Sequence, residues 1–288
     1  MLFGSTRYSN RHSRDAGYDV SNFRKVAPRY GTNSDLKRLF KGAHKRGMRV
    51  VLDLVAGHTS IEHSWLQSSR KCQPNSCSEY FTWTPDVWTD SGPGRWINGA
   101  GPRDGNYLAN FFWFQPALNY GFCDPDPKRP CEQSVNAPGP RAVRAELEAI
   151  MRFWLDAGCD GFRVDMAASL IKGPQGNPQI LALWKEIRGW MERDYPSSVL
   201  VSEWYNPKQA LSAGFHIDFM IHFGEPAYNA LVGTWGPVDG DARNPHVFFE
   251  RAGGGDILGF TKNYLEHYEA TKNKDSLPFL LATTTTPD

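Results

Sequence analysis

Three stretches of the chain repeat apolar residues at the 3.6-residue period of an α-helix. In 32–47, Leu36, Leu39, Phe40 and Ala43 make one stripe, with Ser34 or Asn33 placed to cap its start and Gly47 to end it. In 139–158 the stripe is Val143, Leu147, Ile150, Met151 and Trp154, bounded by Pro140 and Gly158. In 177–196 it is Ile180, Leu183, Trp184, Ile187 and Met191. Each predicted helix runs into a short, nearly continuous apolar segment, at 48–55, 159–167 and 197–205, and two more such segments follow at 215–223 and 277–285. Apolar strands that alternate with helices are strands buried on both faces, which predicts a parallel sheet covered by helices.

Polar residues near the ends of these strands decide between an open sheet and a closed one. They are Asp53 and His58, Arg163 and Asp165, Glu203, Asp218 and His222, and lastly Asp288. A barrel gathers all its strand C-termini at one mouth, whereas an open sheet spreads them across its width. The predicted fold is therefore α/β, a (β/α)8 TIM-type barrel, incomplete, with about five of its eight strands visible. Residues 60–138 interrupt the alternation with Gly-, Pro-, Ser- and Trp-rich sequence too long for an ordinary loop. They are expected to form an inserted loop subdomain over the barrel mouth, with the barrel itself built from 1–59 and 139–288. Alternation along the strand puts Arg163 and Asp165 on one face, pointing a charge pair out of an apolar run.

Charge and composition then narrow the function. Lys and Arg total 32 against 31 Asp and Glu, a net charge of +1 that argues against a nucleic-acid partner. No apolar run reaches the roughly 18 residues of a membrane span, so no membrane partner is expected, and the first residues are too polar for a secretory signal. Aromatic residues crowd into 80–120, at Trp83, Trp88, Trp96 and in the run NFFWFQPALNY. Such rings either suit the apolar faces of sugars or form a small core beneath a long loop. Four of the five cysteines lie in close pairs, Cys72 with Cys77 and Cys123 with Cys131. Two local disulfides are the expectation, leaning toward an extracellular or other oxidising compartment, with free thiols the alternative.

With these residues in view, the chain resembles the α-amylase family of glycoside hydrolases, in its α-glucosidase and oligosaccharide-processing branch. Three of that family's four strand-end motifs are clear: DLVAGHTS at 53–60, GFRVDMAAS at 161–169 and VSEWYNP at 201–207. GYDVSNFRKVAPRYGT at 17–32 and QPALNYG at 115–121 support them. The resemblance implies Asp165 as nucleophile, Glu203 as general acid/base, and Arg163 as the residue that keeps Asp165 ionised and oriented. It further implies that Tyr18 and His58 hold the sugar, that Asp19 grips its non-reducing end, and that Asp53 shapes the pocket. The fourth motif normally reads Asn-His-Asp; Asp288 stands in the aspartate's place as the third catalytic carboxylate, but Thr286 and Pro287 replace its partners.

These residue types fit the chemistry independently. Cleaving a glycoside needs an acid for the leaving oxygen and a carboxylate for the oxocarbenium-like centre, and carboxyls about 5–5.5 Å apart give retention. The expected activity is a retaining glycoside hydrolase acting on α-glucosidic bonds, with an oligosaccharide or α-glucan as its partner. A transglycosylase or isomerase of the same family, or a non-catalytic binding or scaffold chain, is the alternative. No cofactor is expected. Gly57 stands where many members carry an asparagine that ligates calcium, and glycine has no side-chain oxygen for a hard cation.

Overall fold

The computed structural model describes residues 3–5, 17–89, 91–98, 101–174, 176–220, 231, 248–249, 257–271 and 278–280. In chain order the elements are β1 (Phe3–Ser5), β2 (Val20–Val26), α1 (Asn33–His44), β3 (Leu52–Leu54), α2 (Ser64–Ser69), β4 (Arg95–Asn98) and β5 (Asn106–Ala109). They continue with α3 (Pro138–Asp156), β6 (Gly161–Val164), α4 (Pro178–Asp194), β7 (Val199–Ser202), α5 (Pro207–Ser212), β8 (Ile217–Met220), a helix at Ile257–Thr271 and β9 (Pro278–Leu280). All three periodic segments are helices, and each of the five apolar runs holds a short strand.

The helix ends follow from local chemistry. Thr32, rather than Ser34 or Asn33, caps α1: its hydroxyl accepts from Asp35 N, and the Asp35 carboxylate accepts from Thr32 N at 2.8 Å. This reciprocal pair satisfies two otherwise orphaned donors. Leu36 and Phe40 are buried, but Leu39 is 53% exposed and lies off the packed stripe. On α3 the whole expected stripe is buried, and the fully buried Trp154 donates its indole N–H to Phe23 O at 2.8 Å, tying α3 to β2. Asn177 caps α4 through Ile180 N at 3.0 Å, and Trp184 donates to Ala167 O at 2.9 Å, anchoring the segment just beyond Asp165.

The chain divides into two compact units, Met1–Val199 and Leu200–Asp288. In the first, β3 and β6 pair in parallel, with Leu52 opposite Phe162, Asp53 opposite Arg163 and Leu54 opposite Val164. Gly161 begins β6 at φ +143°, and a Cβ there would lie 2.1 Å from Val199 O, so only glycine permits this approach. At the same end, Asp160 accepts from Val50 N (2.7 Å) and Arg49 (3.0 Å) and meets His44 Nε2 at 2.7 Å. Burial alone would raise its pKa, but these partners hold the carboxyl below the usual range. In the second unit, β8 pairs in parallel with β7, Ser202 opposite Asp218, and with β9, Asp218 opposite Pro278. Leu200, Trp204, Phe215 and Phe219 are buried around it.

Residues 60–138 carry α2 and the antiparallel pair β4–β5. Some of their aromatic residues are buried and others exposed. Trp83 is buried against Tyr107, with ring centroids 5.5 Å apart, and lies under the Arg103 guanidinium. Trp88 is 91% exposed, and Phe111, Phe112 and Trp113 are exposed as well.

The cysteine expectation is corrected: none of the five cysteines is in a disulfide. Within each expected pair the sulfurs have separate neighbours. Cys72 Sγ donates to Pro102 O at 2.8 Å, while Cys77 Sγ meets Ser76 Oγ at 3.9 Å. Cys123 Sγ lies against Gly173, while Cys131 is buried. The cysteines therefore carry no argument about compartment.

Candidate active site

The parallel register of β3 and β6 builds the site. Asp53 and Arg163 are partners across the pair, so their side chains leave the sheet on one face. The ladder continues past β6, with Asp165 N donating to Leu54 O at 3.0 Å, which brings the Asp165 side chain to that face too. Arg163 Nη1 stands 2.9 Å from Asp53 Oδ1 and 2.9 Å from Asp165 Oδ1, and 3.3 Å from Tyr18 OH. Tyr18 OH in turn donates to Asp53 Oδ2 at 3.2 Å. A guanidinium at these distances fixes the orientation of a carboxylate.

His58 joins the network through Tyr18. Its Nε2 lies 3.0 Å from Tyr18 O, and its Nδ1 lies 3.0 Å from Asn110 Nδ2. A carbonyl only accepts and an amide nitrogen only donates, so the proton sits on Nε2. Burial pushes the imidazole down to about 4, and the nearby Lys172 acts in the same direction, against the pull of the Tyr18 carbonyl. The ring is neutral at physiological pH, and both nitrogens bond within the protein. Asp19, beside Tyr18, is 1% exposed.

Glu203 follows β7 in the second unit and is half-buried, with Trp204 fully buried behind it. Asp288 and His222 lie outside the described residues. The structure thus joins Arg163, Asp165, Tyr18 and Asp53 directly and adds His58 through the Tyr18 carbonyl.

Sequence reasoning missed Asn110, hidden at the head of an aromatic run, and Lys172, which looks like a surface lysine. It also missed a backbone feature. The two non-glycine residues with positive φ among the described residues are Met166 (φ 45°) and Tyr205 (φ 64°). One follows Asp165 and the other lies two positions after Glu203. Left-handed backbone costs an L-residue roughly 1–2 kcal/mol, and such strain clusters at functional sites.

Among the described residues, no three His, Cys, Asp or Glu side chains gather where a cation can sit. At Gly57 an added Cβ would lie 3.4 Å from Asn110 Nδ2, so the Asn110 amide that reaches His58 borders this space.

Parallel strands with carboxylates and a guanidinium at their C-terminal ends define a barrel-type site. The profile of the α-amylase catalytic domain matches residues 8–219. A trehalose synthase/amylase of Mycolicibacterium smegmatis is 32% identical over 226 residues, covering 74% of this chain and 34% of that protein. An oligo-1,6-glucosidase of Bacillus sp. (strain F5) is 35% identical over 167 residues, covering 55% of this chain and 29% of its own length. Among solved structures, a mutant of the trehalulose synthase MutB superposes with a TM-score of 0.71 at 22% identity, covering 98% of this chain and 49% of that one. An α-amylase from H. orenii gives a TM-score of 0.65 at 23% identity, with 97% and 49% covered. The chain belongs to the α-amylase family, and its fold is that family's (β/α)8 barrel in part. It spans about a third of the length of the curated relatives it matches.

Proposed function

We propose that the protein is a retaining glycosidase acting on α-glucosidic bonds of an oligosaccharide or α-glucan. Asp165 attacks the anomeric carbon and forms the glycosyl-enzyme bond. Glu203 protonates the departing glycosidic oxygen, then takes a proton from the water that releases the sugar. Arg163 keeps Asp165 ionised and aimed, Tyr18, Asp19 and His58 form the sugar pocket, and Asp288 is the third carboxylate. The observation that carries this reading is the contact of Arg163 with Asp165 at 2.9 Å, at the C-terminal end of a parallel strand. A buried ion pair is a poor source of stability, whereas an oriented carboxylate is what a nucleophile requires.

A second reading within the family is glucosyl transfer or isomerisation, in which a sugar hydroxyl replaces water. It is favoured by the trehalose synthases that match about two thirds or more of the chain. Both carboxylates are present, which argues against a non-catalytic scaffold. Nuclear magnetic resonance of the whole protein acting on maltose labelled with 13C in its non-reducing unit tests both. Release of the labelled unit as α-glucose supports hydrolysis with retention, and a new disaccharide supports transfer. Release of the labelled unit as β-glucose, or no conversion of any α-glucoside, contradicts the proposal.

A further inference from the structure

Asp218 is fully buried in the second unit, with its side chain 0% exposed. Its Oδ1 accepts from Ser202 Oγ at 2.7 Å and from Trp204 N at 3.0 Å. Those two donors belong to the residues on either side of Glu203. Its Oδ2 is buried without a hydrogen-bond partner among the described residues. Burial pushes the carboxyl up to about 7, against the pull of the Ser202 hydroxyl and the Trp204 backbone.

Further contacts hold the same turn. The buried Trp204 indole donates to Gln209 Oε1 at 3.1 Å and meets the Phe215 ring at 6.0 Å. Asn206 caps α5 through Gln209 N at 3.1 Å, and Tyr205 between them is left-handed. A buried ionisable group with one oxygen unsatisfied is costly for packing alone. One oxygen receiving a donor from each neighbour of Glu203 leaves the Glu203 backbone little freedom.

We propose that Asp218 is the positioning residue for Glu203, clamping the strand end on both sides of the acid/base. This rests on the reading of Glu203 as general acid. Misplacing such a group by about 1 Å costs on the order of 10²-fold. The loss is specific: it falls on substrates whose leaving group needs a proton and spares those whose leaving group departs without one.

The test compares kcat/KM for maltose and for a dinitrophenyl α-glucoside in the full-length protein, because kcat/KM reports formation of the glycosyl-enzyme. Glu203→Gln serves as reference and should depress maltose turnover by about 10²-fold or more while leaving the aryl glucoside within a few-fold. Asp218→Ala should show the same split at about 30-fold. Asp218→Asn, which keeps the accepting oxygen, should recover maltose activity to within about 3-fold of wild type. Ser202→Ala, which removes one of the two contacts, should show a smaller split and carries the comparison if Asp218→Ala does not fold. Equal losses on both substrates in Asp218→Ala or Ser202→Ala, alongside a normal split in Glu203→Gln, overturn the positioning role alone. Absence of the split in Glu203→Gln overturns the acid assignment and this proposal with it.

Discussion

Arg163 Nη1 stands 2.9 Å from Asp165 Oδ1, and only Val164, the last residue of β6, separates the two in the chain. The same nitrogen is 2.9 Å from Asp53 Oδ1 on β3, so one guanidinium group joins two strand ends. Lysine places a single, differently hydrated point charge there and cannot reproduce the planar geometry. Arg163→Lys in the whole protein should lower kcat by about 10²-fold with a smaller change in KM. Steady-state kinetics on an α-glucoside check this, and a variant that keeps wild-type kcat contradicts it.

Asp160 and Asp165 lie at opposite ends of one strand and should separate stability from chemistry. Asp160 gathers His44, Arg49 and Val50 N, and its removal leaves a backbone donor and two basic groups without their carboxylate. Asp160→Ala should lower unfolding free energy by about 2–3 kcal/mol, with kcat of the folded fraction retained. Urea denaturation together with activity titration measures both. A full loss of activity at unchanged stability would reverse the assignment.

Two buried histidines predict the acid side of the stability profile. His58 and His63 are both pushed down to about 4 from an ordinary 6.5, chiefly by burial. Between those values the unfolded chain takes up protons that the folded chain refuses, so stability is highest above pH 6.5 and falls as pH drops toward 4. His63 also caps α2, its Nδ1 accepting from Trp65 N at 3.1 Å. His63→Asn keeps a capping acceptor without the titration. Its unfolding free energy should fall between pH 7 and pH 5 by roughly 2 kcal/mol less than wild type's. Equal falls in the two proteins exclude His63 as a source.

The helices and strands were legible because their apolar positions follow the geometric period of each element. Leu36 and Phe40, and the whole stripe from Val143 to Trp154, are buried as their spacing predicts. The pairing of Arg163 with Asp165 was legible for the same reason, since a period of two puts them on one face. Leu39 was not, because a stripe wider than the packing face leaves one member in water. The cysteines misled because closeness in sequence does not set the direction of a sulfur: Cys72 turns to Pro102 and Cys123 lies against Gly173. Asn110 and His58 meet across a loop whose path no local pattern encodes. The clamp on Ser202 and Trp204 was hidden because Asp218 reads as one polar residue in an apolar strand.

Gly57 supports a prediction about metal removal. It has no side-chain oxygen to offer a calcium ion, and Asn110 borders the space beside it. Activity of the whole protein should be unchanged after exhaustive treatment with a chelator. Loss on chelation with recovery on adding calcium would place a cation site elsewhere in the protein.

The central claim is that Asp165 bonds covalently to the sugar. The direct measurement is mass spectrometry of the whole protein inactivated with a 5-fluoro-α-glucosyl fluoride, followed by peptide mapping. The account predicts one added fluoroglucosyl group on the peptide containing Asp165, and no labelling of Asp165→Asn under the same conditions. A label on a different carboxylate, or turnover of α-glucosides by Asp165→Asn at the wild-type rate, would contradict it.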